Sequence, residues 1–268
     1  MKKQTDILVI DDEPVVLDAV VKLCSAEGFQ VDAAVHALEG LKKIAQSSYR
    51  LIVCDIMMPD MDGFQFLERL AEKHIATPVI ITTGYSTVEN AVKSLYLGAI
   101  DFLAKPFTVE ELLSTVRRGM KYQELSQSFN AAARERNDLY PVYVPCPPSY
   151  YRLGYTGWVN VESDGSVKTG LSDLFIKTLG GIRRIEFFER EEEIVQGNVC
   201  ARVETEDQLI HNVLAPISGK ILNFNETLSQ NCALVEKDPY FRGWLYTVLP
   251  SDLEYELKHL TPCSSDRL

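Results

Sequence analysis

No apolar run in this chain approaches the roughly 20 residues needed to cross a bilayer, so no membrane partner is expected. No CxxC pair occurs either. The six cysteines, at 24, 54, 146, 200, 232 and 263, are scattered, which argues against a zinc site or a disulfide framework. They read as reduced thiols, several of them core filler. Positive charge is short, with 27 Lys and Arg against 38 Asp and Glu, a net charge of −11 and a pI near 4.9. That balance opposes broad contact with nucleic acid or anionic lipid. Neither a helix-turn-helix nor the phosphate loop of an ATPase is visible. The opening Met1-Lys2-Lys3-Gln4-Thr5-Asp6 runs into an acidic cluster, unlike a signal peptide, so a cytoplasmic protein is expected. At 268 residues, 46% of them hydrophobic, there is material for two globular cores.

The most informative stretch is Leu51-Ile52-Val53-Cys54-Asp55, followed by Ile56-Met57-Met58-Pro59-Asp60-Met61-Asp62-Gly63. It begins as a strand apolar on both faces, ends on a carboxylate, and is turned by Pro59 and Gly63. Ile7-Leu8-Val9-Ile10 is a similar run closed by Asp11, Asp12 and Glu13. Adjacent acids at a strand end repel unless a cation sits between them, and hard oxygen donors beside phosphate suit Mg²⁺. Strand-like runs also occupy 29–34, 79–83 and 99–104. Helical spacing fills the intervals: Pro14 opens the first helix, Gly28 stops it, and Ser86 is a candidate cap further on. Thr108 with Glu111 forms a capping box for the last helix. Five strand–helix alternations predict a doubly wound parallel sheet. Its strand C-termini would gather Asp11, Asp12, Asp55, Thr83 and Lys105 on one edge, the position where such sheets hold their chemistry.

Val9-Ile10-Asp11-Asp12-Glu13-Pro14, Asp55 through Gly63, Thr82-Thr83-Gly84 and Lys105-Pro106-Phe107 together resemble the receiver domain of two-component response regulators. The resemblance covers residues 5 to about 122. It implies the flavodoxin-like strand order 2-1-3-4-5 and a phosphoryl group received on Asp55 from a histidine kinase or phosphotransfer protein. It further implies that Asp12, Asp55 and the Met57 carbonyl hold Mg²⁺, with Asp11 supporting through water. Lys105 would pair with the phosphoryl oxygens, aided by a cis Lys105–Pro106 bond, and Thr83 would donate to one of them. Gly84 would leave the phosphoryl path open. Phe102 stands where the family has its rotating aromatic; a buried strand residue that stays put is the other reading.

From Glu110 to about Glu135 the helical pattern is long for a final receiver helix. A projecting lever or short coiled coil and a helix end docked locally both fit its mixed periodicity. Prolines at 141, 145, 147 and 148 then mark a linker. Beyond it, short alternating segments between turn signals predict a mostly β domain with small helices at 172–179 and near 250–260. The expected domains are therefore a receiver at 1–122, a helical extension and linker at 123–150, and the β domain at 151–268.

Trp158-Val159-Asn160-Val161, Leu179-Gly180-Gly181-Ile182, Ala215-Pro216-Ile217-Ser218-Gly219-Lys220-Ile221 and Asp238-Pro239-Tyr240 with Gly243-Trp244-Leu245 resemble the glycine cleavage system H protein, a lipoyl carrier of the biotinyl/lipoyl fold. That family attaches lipoate to a lysine on a tight hairpin after a Val-Glu-Ser step. Here Val203-Glu204-Thr205 leads to Asp207 or Gln208 at that position, depending on which flank is counted from. Neither has the amine that the lipoyl amide requires, and Lys220 lies in the following strand. The acidic hairpin is either a docking surface or a solvated turn, and His211, without a second His or a nearby Cys, reads as an ordinary residue.

The expectation is thus a cytoplasmic, Mg-dependent phosphoacceptor regulator whose only catalysis is of its own phosphorylation and dephosphorylation. Its output would be a non-lipoylated H-protein-like interaction domain, with homodimerisation an open outcome. A second reading is an accessory that docks on lipoate-handling or glycine cleavage enzymes.

Overall fold

The computed structural model describes residues 3–84, 87–135 and 143–266. Two compact units emerge, Met1–Thr87 with Leu97–Gln127, and Val88–Tyr96 with Ser128–Leu268. The expected cap Ser86 and the linker residue Pro141 lie outside the described residues.

In chain order the first half runs β1 (Lys3–Ile10), α1 (Pro14–Ala26), β2 (Val31–Ala34), α2 (Ala37–Gln46) and β3 (Ser47–Asp55). Then come α3 (Gly63–Glu72), β4 (Val79–Thr83), α4 (Val88–Tyr96), β5 (Asp101–Ala104) and α5 (Val109–Glu135). The strands form one parallel sheet in the order β2-β1-β3-β4-β5, as the alternation predicted. Ile52, Ile80 and Ile81 at its centre are fully buried, each contributing roughly 1.5–3 kcal/mol. The punctuation behaves as read. Pro14 is the first residue of α1, and Gly28 takes a left-handed φ of 90° just past its end. The Thr108–Glu111 capping box is closed in both directions, at 3.1 and 2.8 Å. Asp62 and Gln65 form a second box at the start of α3. Helix α5 is continuous over 27 residues, about 40 Å of helix. Within the first half, Arg118 of α5 is buried and paired with Asp101 of β5, fixing the helix to the edge strand.

The second half is mostly β, with two sheets. Its strands are β6 (Tyr151–Leu153), β7 (Gly157–Val161), β8 (Val167–Leu171), β9 (Ile182–Phe187), β10 (Glu193–Ile194), β11 (Val199–Thr205), β12 (Ile210–Leu214), β13 (Gly219–Phe224), β14 (Trp244–Pro250) and β15 (Thr261–Pro262). Short helices α6 (Asp173–Thr178), α7 (Glu226–Gln230), α8 (Ala233–Lys237) and α9 (Leu253–Glu256) sit between them. One sheet has the order β10-β13-β14-β8-β7-β6-β15 and the other β12-β11-β9. Tyr246 ties them together: its hydroxyl donates to the Cys200 carbonyl at 2.7 Å and accepts from the Phe188 amide at 2.8 Å. Phe187 packs edge-on against the same ring. Trp158, 1% exposed, anchors a cluster of Cys146, Tyr150, Tyr240 and Cys263, with its indole N–H donating to Leu171 O and Pro239 O. Gly219 is obligatory: a Cβ there would lie 2.1 Å from the Leu249 carbonyl oxygen.

Candidate functional site

The parallel register sets strand ends side by side. Ile10 is aligned with Cys54, Asp55 with Thr82, and Thr83 with Ala104, so the residues at or just past these ends share one edge of the sheet. Asp55 and Asp11 are each 2% exposed. The Lys105 ammonium lies between them, 2.7 Å from Asp55 Oδ1 and 2.8 Å from Asp11 Oδ2. It also reaches Glu13 at 3.2 Å. Glu13 therefore joins the cluster, in addition to the expected Asp11, Asp12, Asp55, Thr83 and Lys105. The signal was its place in the acidic run that follows β1. The Met57 amide donates to Asp55 Oδ2 at 2.6 Å, and the Glu13 amide donates to Asp11 Oδ1 at 3.0 Å. Thr83 is fully buried at the end of β4. The Lys105–Pro106 peptide is cis, and the Lys105 amide donates to the Thr83 carbonyl at 2.8 Å.

Gly63 shapes this edge. A Cβ at Gly63 would stand 2.6 Å from the Asp55 carbonyl oxygen and 2.9 Å from Ile56 Cα, so α3 starts against the backbone that carries Asp55. At Gly84 an added Cβ would meet nothing within 4 Å among the described residues. Phe102 is partly buried and packs on the core beneath the sheet.

Burial pushes the Asp55 and Asp11 carboxyls above the ordinary range, and the Lys105 ammonium pulls both back. Burial alone would lower Lys105. Its close ion pairs with Asp11 and Asp55 outweigh that and hold it well above its ordinary value, hence protonated. A negatively charged ligand entering this edge therefore meets a fixed cation.

The donor set fits a hard divalent ion. Asp55 Oδ1 is buried, and its contact with Lys105 is one of charge, with no donor in hydrogen-bond geometry among the described residues. Asp12 is half-buried and has no ion-pair partner among the described residues. No three acid, His or Cys side chains among the described residues already converge as a metal cage, because Lys105 separates Asp11 from Asp55. Carboxylate oxygens from Asp12 and Asp55 are the chemistry that Mg²⁺ accepts.

The second half places its expected special position on the β11–β12 hairpin. Glu204 pairs with Ile210, and the turn closes through Thr205 N to Leu209 O at 3.0 Å and Gln208 N to Thr205 O at 2.9 Å. Gln208 has a left-handed φ of 67° at the tip. The Thr205 hydroxyl donates to the Asp207 carboxylate and holds it below its ordinary pKa. The Glu206 amide donates to Gly181 O at 2.8 Å. Lys220 is in β13, ion-paired to Glu191. His211 is buried in β12, and Cys200 is buried as expected. Cys232 is only partly buried, and its thiol donates to the carbonyls of Ile182 and Arg183.

Residues 7–117 match the family model "Response regulator receiver domain", and residues 149–265 match "Glycine cleavage H-protein". The chain joins a response regulator receiver domain to a glycine cleavage H-protein domain. A transcriptional regulatory protein, ZraR of Klebsiella oxytoca, is 35% identical over 126 residues, covering 47% of this chain and 28% of that one. This chain spans half or less of the length of the curated relatives it matches first. A CheY-like receiver domain protein from Methanospirillum hungatei is 34% identical, covering 47% of this chain and 99% of the other, with a TM-score of 0.43. A glycine cleavage system H protein from Mycobacterium marinum is 27% identical, covering 39% and 86%, with a TM-score of 0.37. No helix among the described residues is long and apolar enough to cross a membrane.

Proposed function

We propose that this protein is a phosphoacceptor regulator in which Asp55 takes a phosphoryl group from a histidine kinase or phosphotransfer protein. The observation that carries the reading is the buried Asp55 carboxylate 2.7 Å from the Lys105 ammonium at a strand end. An Asp55 oxygen attacks phosphorus, the bond from phosphorus to the donor's nitrogen breaks, and the leaving imidazole keeps the electron pair and takes up a proton from solvent. Transfer of this kind is governed by positioning and charge. The Met57 amide orients the Asp55 carboxylate, Lys105 pairs with the incoming phosphoryl oxygens, and Thr83 donates to one of them. Asp12, Asp55 and the Met57 carbonyl would hold Mg²⁺, with Asp11 in support, and the bound ion would offset repulsion between the acids and the anionic donor. Its catalysis is confined to its own phosphorylation and dephosphorylation.

Thr83 and Phe102 form the switch: Thr83 moves toward the phosphoryl group and the Phe102 ring follows. A new charge-assisted network at a strand end favours one of two packings of the neighbouring elements. The output is the H-protein domain acting through protein contacts, without lipoate, since Asp207 and Gln208 offer no amine. The domains are taken as 1–122, 123–150 and 151–268, in a cytoplasmic protein that binds neither nucleic acid nor membrane. Asp55→Asn tests the reading. Labelling by a small acyl phosphate with Mg²⁺ is expected to vanish, and retained labelling would move the acceptor elsewhere.

A second reading draws on the match of 149–265 to the H-protein family. The chain would dock as a regulatory accessory on lipoate-handling or glycine cleavage enzymes. Co-purification of dehydrogenase subunits with the tagged chain favours it, whereas recovery of a kinase without them favours signalling alone.

A further inference from the structure

Strand β9 is an edge strand among the described residues, paired with β11 on one side only. An open cleft of about 610 Å³ runs beside it, lined on one wall by every residue from Arg183 to Glu189 and on the other by Phe224, Leu228 and Cys232 among others. Backbone groups at both ends of the strand are satisfied. The Cys232 thiol donates to the carbonyls of Ile182 and Arg183, and the Phe188 amide donates to Tyr246. Between them, at 184–187, every second residue of an edge strand turns its N–H and C=O outward.

The side chains on that stretch carry a charge pattern. Arg184 and Glu186 lie on the exposed face, two residues apart. Across the ladder Arg184 is opposite Glu204, and Glu186 is opposite Arg202. Arg202 reaches Glu186 at 3.7 Å, Glu204 is engaged by Arg183, and Arg184 has no ion-pair partner among the described residues.

We propose that the outer edge of β9 is a self-association surface, on which β9 of a second copy of this chain pairs antiparallel about a two-fold axis at Ile185. That axis sets Arg184 opposite Glu186 of the second copy, and Glu186 opposite its Arg184. Each row across the joined sheets then reads Glu204, Arg184, Glu186 of the second copy, Arg202 of the second copy, alternating in sign. Opposite charges directly across a ladder attract and like charges repel, so the pattern also fixes the register. An axis one residue earlier sets Arg184 against itself, and one residue later sets Glu186 against itself. A two-fold contact of this kind is self-complementary and closed. The Ile185 side chain stays buried in its own core, so the joining energy comes from ladder hydrogen bonds and charge rather than apolar area. The association is therefore weak and sensitive to salt.

Sedimentation equilibrium of the full chain, without phosphodonor, tests this. Wild type is expected to show a monomer–dimer equilibrium that weakens as salt rises. R184E and E186R each replace two opposite-charge pairings by two like-charge ones, weakening dimerisation about tenfold. Both positions are exposed, and circular dichroism checks that the fold is kept. Mixing R184E with E186R chains makes both cross-pairings opposite in charge again, so the mixture should dimerise as wild type does although neither variant does so alone. A monomeric wild type overturns the proposal. So do single variants that dimerise like wild type, which would put the contact elsewhere, for example in the receiver. A mixture that stays dissociated overturns it too.

Discussion

Asp55 and Asp207 invite comparison: the first is the proposed phosphoryl acceptor, and the second shares with Gln208 the hairpin position where the resemblance to the H protein implies a lysine. Asp55 is buried at a strand end beside an ammonium; Asp207 is exposed on a hairpin with its carboxylate tied to the Thr205 hydroxyl. Burial pushes the first carboxyl up, and hydrogen bonding pushes the second down. Around Asp55 the sheet edge gathers Asp11, Glu13 and Lys105. The H-protein domain has two sheets, a tight β11–β12 turn and a tryptophan cluster, with no amine at Asp207 or Gln208. An exposed turn residue carries little of the packing, so the sheets do not depend on which side chain stands there, whereas Asp55 is built into the core.

The largest effect that would break this contrast is at Asp55. D55N should abolish labelling while leaving the melting temperature unchanged or higher. The native carboxyl is held above its ordinary value by burial, so its stabilising contribution is whole below the ordinary pKa and is lost as pH rises through the native one. At neutral pH the charged form weighs against the fold, and D55N removes that cost. A D55N protein that melts well below wild type would mean that the Lys105 pairing outweighs burial.

The hairpin offers the converse experiment. Wild-type protein from its native cell should carry no lipoyl mass on any lysine. Q208K puts an amine on the tip at a backbone conformation the site already adopts. When co-expressed with a lipoate ligase, Q208K should gain a lipoyl mass, while wild type in the same cells does not. A Q208K chain that stays unmodified would show that the departure extends beyond the missing amine to the surface the ligase reads.

Much of the receiver was legible because its signals are local. Apolar runs closing on Asp11, Asp55 and Thr83 declare strand ends, and a parallel sheet brings such ends together without long-range information. Glu13 was harder to see, since sequence cannot say how far the ammonium of Lys105 reaches along an acidic run. The strand pairing of the β domain was not legible at all. β9, β11 and β12 form a separate sheet, joined to the larger one by Tyr246 bonding to Cys200 and Phe188, 46 and 58 residues away in sequence. On β12 His211 is buried and Ile210 exposed, against their polarity; hairpin register, set by the turn, overrides polarity there.

Gly63 probes how finely the Asp55 end is placed. G63A must displace backbone atoms, since both of its closest contacts are main chain. A cost of about 1–3 kcal/mol is expected from the overpacking. Labelling should slow by about tenfold to a hundredfold, because small misplacements of reacting groups are expensive. Unchanged labelling with lowered stability would show that the loop yields instead of the strand.

The smallest effect lies at the opposite end of β3. Tyr49 is buried, and its hydroxyl donates to Asp32 of β2 at 2.8 Å. Burial first, and then the Asp32 carboxylate, push the phenol up to about 12 from an ordinary 10. A raised native value favours the protonated phenol in the folded state. The stabilisation is therefore whole below about pH 10 and is lost as pH rises toward 12. Y49F should cost about 1 kcal/mol at neutral pH, the worth of one hydrogen bond. Its chemical-denaturation curve should converge on that of wild type across the same alkaline window. If the two proteins keep a constant difference up to pH 12, the phenol contributes packing alone, and the Asp32 bond adds nothing to the receiver sheet.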